Sequence, residues 1–148
     1  MTAGPDISIR VLDWAEAEPK AMPLRLRVFV VEQGVPVELE RDEFDAVSRH
    51  ALAETAAGEA LATGRLLPDG HIGRMAVAAA WRGRGLGGAV LEALVAEAVA
   101  RGMGAALLNA QTHALDFYRR HGFVEEGEEF MEAGIPHRTM RRALERNK

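Results

Sequence analysis

The chain has no cysteine, a single tyrosine, and aromatics at only 5% of its 148 residues. Without a thiol there are no disulfides, no thiolate metal sites and no acyl-cysteine intermediate. No apolar run approaches the roughly 18 residues of a membrane helix. The opening stretch MTAGPDISIRVLD lacks the cationic and apolar blocks of a secretory leader, so a cytoplasmic location is the expectation. A surplus of positive charge is also missing. Lys and Arg number 18 against 22 Asp and Glu, a net charge of -4, and no basic face of the kind nucleic acid requires is visible. The five histidines fall at no common metal-ligand spacing, so no metal is expected. His50, His71, His113 and His121 read as surface or capping residues.

What is present is an ordinary globular balance, 48% apolar and 27% charged, and it predicts one domain over residues 1–148. Alternation predicts a strand in ISIRVLDW. In KAMPLRLRVFVVEQG the residues Leu24, Leu26, Val28 and Val30 alternate like a strand, whereas Leu24, Val28 and Val31 fit a helical stripe. RHALAET and EALATGRLL predict two strands in a hairpin, PDG a turn, and HIGRMAV another strand. Apolar residues from Leu86 to Val99 recur at three- and four-residue spacing, a helix over Gly85–Arg101 that Gly102 can end. AALLNAQ predicts a short buried strand, and THALDFYRRHG a short helix with Thr112 as its N-cap. Two more strands flank AGIPH. The alternation of strands and helices predicts an α/β domain with a mixed sheet. VELERDEFD, Val37–Asp45, holds five acids against Arg41. It reads either as a solvated loop or as a negative rim that attracts a cationic amine.

The most informative stretch is WRGRGLGGAV, Trp81–Val90, which joins a predicted strand to a predicted helix. Glycine admits positive φ and lets a ligand approach the backbone, and the free N–H groups of a helix start form an anion-binding concavity. With Arg82 and Arg84 beside them, Gly83, Gly85, Gly87 and Gly88 predict a pyrophosphate cradle. A Walker loop is excluded, because no Lys-Ser or Lys-Thr follows Gly88. Gly83, Gly85 and Gly88 also spell G-x-G-x-x-G, but a dinucleotide fold needs an acid after the next strand, and AALLNA ends without one. A nicotinamide enzyme is therefore the weakest of the readings.

Two motifs favour another cofactor. IGRMAVAAAWRGRGLGGAVLEALVAEA resembles the strand, R-x-x-G-x-G turn and helix of the GNAT N-acetyltransferase superfamily. ALDFYRRHGF resembles that superfamily's A-x-x-F-Y-x-x-x-G-F signature. VFVVEQGVP and FMEAGIPHRTM resemble the ElaA-like branch of acetyltransferases, extending the match to about Ile7–Leu144. The resemblance implies a three-layer α/β (α+β type) fold with a central mixed, mostly antiparallel sheet flanked by helices, and it favours helix for Leu24–Val31.

It also implies acetyl-CoA as co-substrate. Its pyrophosphate would lie on the N–H groups of Gly83, Arg84, Gly85, Leu86, Gly87 and Gly88, near Arg82. Its pantetheine arm would pair with the backbone of Met75, Ala76 and Val77. An amide contact expected from an asparagine falls on Gln111, with Asn109 as the lesser substitute. The resemblance further implies direct attack by an amine in a ternary complex. Tyr118 falls on the general-acid position, and an unperturbed phenol is protonated at neutral pH. Glu32 and His137 are the candidate bases. The acceptor would be a small-molecule or peptide amine, with neither nucleic acid nor membrane as partner, and small enzymes of this kind often form homodimers. A non-catalytic acyl-CoA-binding sensor with the same fold is the alternative function.

Overall fold

Strands β1 (Ile7–Leu12), β2 (Arg49–Thr55), β3 (Ala60–Leu66), β4 (His71–Val77), β5 (Ala105–Gln111), β6 (Val124–Glu132) and β7 (Ile135–Ala143) form one sheet in the order β1-β2-β3-β4-β5-β7-β6. Only β4 and β5 run parallel. The computed structural model describes residues 6–35 and 43–144. No helix among them is long and apolar enough to cross a membrane.

Helix α1 (Trp14–Arg25) starts after Asp13, whose backbone is still extended and whose carboxylate accepts the Glu16 N–H at 3.1 Å. It contains Pro19 and Pro23, each of which removes a helical donor. The helix then widens into a π-helix over Leu26–Glu32. There the Gln33 N–H reaches back five residues to the Val28 carbonyl at 3.2 Å, and Gly34 stops the element with φ +74°. The ambiguous Leu24–Val31 segment is thus helical. Alternation misleads here because the winding is helical: Leu24 and Val28, four residues apart, are buried against Ala76 and Ala78, Leu26 and Val30 are only half-buried, and Val31, which the helical stripe also included, faces solvent.

Helix α2 (Leu86–Ala100) covers the opposite face. Val90, Leu91, Leu94, Val95 and Ala98 are buried against Ala51, Ala53, Leu61 and Ala62. Burying each of the larger of these side chains is worth about 1.5–3 kcal/mol. Period two sends Ala51 and Ala53 to this face, and His50 to the other, where it packs on Trp14 of α1. Helix α3 (Leu115–Arg119) follows a 3-10 turn at Thr112–Ala114. Thr112 therefore lies inside that turn and is not the N-cap of the helix: Ala114 holds that place, with no side-chain bond.

A further correction concerns charge. Residues 37–42 of the acidic stretch lie outside the described residues, but Asp45 is no rim residue: it is 1% exposed. Its carboxylate accepts from Arg25 Nη1 at 2.9 Å, Arg25 Nη2 at 3.2 Å and Arg65 Nη1 at 3.1 Å. Its main-chain oxygen lies 2.9 Å from His50 Nε2, so His50 is a buried partner of this cluster and not a surface histidine. A carboxylate enters the core here because two guanidiniums meet it there.

Candidate active site

The four glycines at the turn and first residues of α2 have separable reasons. Gly83 and Gly85 take φ of +79° and +82°, a region that penalises any Cβ. A Cβ on Gly88 would lie 2.9 Å from His121 Nε2, so glycine there admits that ring. On Gly87 a Cβ would meet protein only at 3.7 Å, ordinary contact with Phe117 and Val77. Protein packing therefore does not demand the fourth glycine. Whereas Asp13 caps α1, α2 has Gly85 at its N-cap and no side-chain cap. Its first intrahelical bond runs from the Ala89 N–H to the Gly85 oxygen at 3.1 Å. The amides of Leu86, Gly87 and Gly88 have no carbonyl of the helix to reach. Arg84 stacks over Trp81 at 4.8 Å, at the same turn. The geometry is that of an anion cradle.

Next to it the sheet opens. Between the pairs Thr63↔Ala76 and Arg65↔Gly73, β3 contributes Gly64 while β4 contributes Arg74 and Met75. This is a bulge, with Arg74 at φ +52°. β4 and β5 pair only at His71↔Leu107 and Ile72↔Leu108, and the described register goes no further. The Ala78 N–H donates to Leu61 of β3 at 2.8 Å, so the main-chain groups of Val77, one residue earlier, point away from β3. The Val77 carbonyl accepts from Arg82 Nε at 3.0 Å. Arg82 Nη2 in turn donates to Glu32 at 2.7 Å. Arg82 and Glu32, placed in separate roles by sequence, are thus one ion pair that ties the end of the π-helix to the glycine turn.

The gap widens into a cleft of about 610 Å³, lined among others by Gln33, Met75, Tyr118 and His137. Period two puts Asn109, Gln111, His137 and Thr139 on one face, because Asn109 pairs with Thr139 and Gln111 with His137. Tyr118 lies half-buried on α3, edge-on to Phe117 at 5.0 Å and Phe123 at 6.2 Å. Burial pushes its phenol above the usual value of 10.0. His137 is 6% exposed. Its Nδ1 lies 2.6 Å from the Ile135 carbonyl, which can only accept, so Nδ1 carries the hydrogen and Nε2 is left to the cleft. Gln111 Nε2 donates to Gln33 at 3.4 Å, and its Oε1 lies 2.6 Å from His113 Nε2. Asn109 Nδ2 donates to Glu132 at 3.4 Å.

Comparison with known proteins decides the family. The GNAT acetyltransferase domain model matches residues 16–144. The chain belongs to the GNAT acetyltransferase family. This GNAT chain is 38% identical over 123 residues to YjcF of Bacillus subtilis, named as an uncharacterized N-acetyltransferase, covering 81% of this chain and 88% of the relative. Among solved structures it resembles an acyl-CoA N-acyltransferase from Pseudomonas aeruginosa at 34% identity and TM-score 0.84, over 93% of this chain and all of the other. Escherichia coli ElaA follows at 29% identity and TM-score 0.83, over 93% and 99% of the two chains. The GNAT fold and its ElaA-like relatives, expected from sequence, are thereby established, and with them acyl transfer as the general activity.

Of the residues singled out in the sequence, Met75, Asn109, Gln111, Tyr118 and His137 line the cleft. Gly83–Gly88 and Arg82 stand at the adjoining turn, and Glu32 faces Arg82. Gln33 and Glu132 also line the cleft and were passed over. Each lay inside a quoted motif, VVEQG or FMEAGIPH. The hairpin across Ala133 and Gly134, which sets Glu132 opposite Ile135, was the signal that could have found the second.

Proposed function

We propose that this protein transfers an acetyl group from acetyl-CoA to a primary amine of a small molecule or peptide, by direct attack within a ternary complex. The observation that carries this reading is the uncapped glycine turn after β4, with Gly87 beside Phe117 and Val77, next to a cleft that Tyr118 lines where β4 parts from β5. The room beside Gly87 and the outward-facing backbone of Val77 fit a diphosphate followed by an amide-bearing arm. The amides of Gly83–Gly88 with Arg82 and Arg84 would hold the first. The backbone of Met75 and Val77 would hold the second, while Ala76, expected beside them, turns its main-chain groups to Thr63 of β3; Gln111 or Asn109 would offer a side-chain amide beside it. Once bound, the coenzyme supplies an activated thioester.

The chain's own residues manage the protons. An ammonium carries three hydrogens and the amide product keeps one. His137 Nε2 takes one of the other two. Tyr118 donates its phenolic proton to the departing sulfur, and the remaining N–H proton restores it. A phenol raised by burial stays protonated at neutral pH and suits that donation. Glu32, engaged by Arg82, holds the guanidinium over the Val77 carbonyl, and His137 is the better placed base.

The test is thiol release from acetyl-CoA with a panel of primary amines, alongside CoA binding by thermal shift. Turnover with at least one amine is expected. CoA binding with no turnover would make the protein an acyl-CoA sensor, and stabilisation by NADH but not CoA would refute the coenzyme assignment.

A further inference from the structure

We infer that Glu132 anchors the ammonium group of the acceptor, so that the acceptor is a cationic primary amine seated between Glu132 and His137. This rests on the acetyl-transfer reading above. Glu132 is the last residue of β6, next to a two-residue turn in which Ala133 and Gly134 have φ of +51° and +76°. Two positive φ values make a tight hairpin turn that fixes register. The register sets Phe130 opposite His137 and Glu132 opposite Ile135, so Phe130, Glu132 and His137 share one face. Phe130 stacks on the His137 ring at 5.9 Å.

Among the described residues that line the cleft, Glu132 is the one carboxylate, and its side chain is 52% exposed. Glu132 therefore gives the β6–β7 end of the cleft negative charge for an entering cation. Glu132 Oε1 accepts from Asn109 Nδ2 at 3.4 Å, and Asn109 Oδ1 accepts from the Thr139 hydroxyl at 3.2 Å. These contacts hold one carboxylate oxygen. The other, Oε2, stands 3.6 Å from His137 Nε2. That separation is too long for a hydrogen bond. An ammonium nitrogen beside both atoms would donate one N–H to the carboxylate and hold another toward Nε2. Glu132 then binds and orients, and His137 takes the proton.

The experiment is steady-state acetylation of phenethylamine, cadaverine and glycinamide by the wild type, Glu132→Gln and Glu132→Asp, with acetyl-CoA varied separately. For whichever amines the wild type acetylates, Glu132→Gln should raise the amine KM by about 10- to 100-fold, the worth of a charged hydrogen bond. The KM for acetyl-CoA and the melting temperature should stay at wild-type values, and Glu132→Asp should recover part of the loss. An unmoved amine KM overturns the inference while leaving acetyl transfer intact. A lowered melting temperature with both KM values and kcat disturbed marks a structural role and also overturns it. If the wild type acetylates none of these amines or any other of the panel, the functional reading itself is lost, and this anchor with it.

Discussion

Replacing Asp45 by Asn should destabilise the fold more than any surface charge substitution. Asp45 is 1% exposed and meets Arg25, itself 1% exposed, and Arg65 at 6%. Burial alone would raise its carboxyl pKa, but the hydrogen bonds and charge of Arg25, and then of Arg65, hold it below the usual value. Among the described residues Asp45 is the carboxylate that both guanidiniums share, so Asn removes that buried anion from between them. Breaking a buried pair in this way costs about 3–5 kcal/mol. At this chain length 1 kcal/mol moves Tm by about 2–4 °C, so the melting temperature should fall by about 6–20 °C. Urea unfolding at pH 7, followed by circular dichroism, gives the free energy directly. Glu97→Gln is the control. Glu97 bridges Arg49 at 3.2 Å and Arg101 at 2.6 Å, both of them part-exposed to solvent, and its loss should cost about 1 kcal/mol. The sign with pH follows from the depressed pKa. The contribution of Asp45 is present above the unfolded value near 3.9 and is lost as pH falls through the folded one. An Asp45→Asn protein within 1 kcal/mol of the wild type would refute the buried-charge account.

Tyr118→Phe should lower kcat by about 10²- to 10⁴-fold with CoA affinity nearly intact, measured by thiol release and calorimetry; unchanged turnover removes Tyr118 from the mechanism. Gly85→Glu should abolish CoA binding, because φ +82° disfavours a side chain and a carboxylate would repel the diphosphate; calorimetry showing retained affinity would place the diphosphate elsewhere. Gly64→Ala should cost about 1–3 kcal/mol in urea unfolding, since its Cβ would lie 2.9 Å from Leu94 Cδ1 and 3.0 Å from Val90 Cγ1, and a neutral effect would mean the core yields there. His50 is held below its usual pKa by burial, against the opposing bond to Asp45. The unfolded chain therefore takes up a proton near pH 6.5 that the folded chain refuses, and stability should drop as pH falls below that point. A urea midpoint with the same pH dependence in the wild type and His50→Gln would contradict this.

Local signals carried most of the fold. RHALAET, HIGRMAV and AALLNAQ coincide with β2, β4 and β5, because each alternates or is bounded by a turn. The Leu86–Ala100 helix was legible because its apolar spacing and Gly102 agree. Helix α1 was not, since Pro19 and Pro23 argue against a helix and only the Asp13 cap and sheet packing override them. The Asp45 cluster was invisible for another reason: Arg25 and Arg65 each lie 20 residues away in the chain, and an acid in an acid-rich run reads as solvated. At the cleft, the glycine turn and Tyr118 carried their own motifs. Glu132 was legible only through the register that the Ala133–Gly134 turn sets, and the Glu32–Arg82 pair is a contact across 50 residues that no local pattern encodes.

The bulge at Arg74 and Met75 makes the opening between β4 and β5 a matter of counting. The one supernumerary residue lies just past Ile72, where β4 parts from its parallel neighbour. Removing a residue there would restore an even ladder to β3 and let the strands zip together. The protein would keep its core on α2 and forfeit its slot. A family chain with a continuous β4 should therefore be sound as a fold and mute as a catalyst.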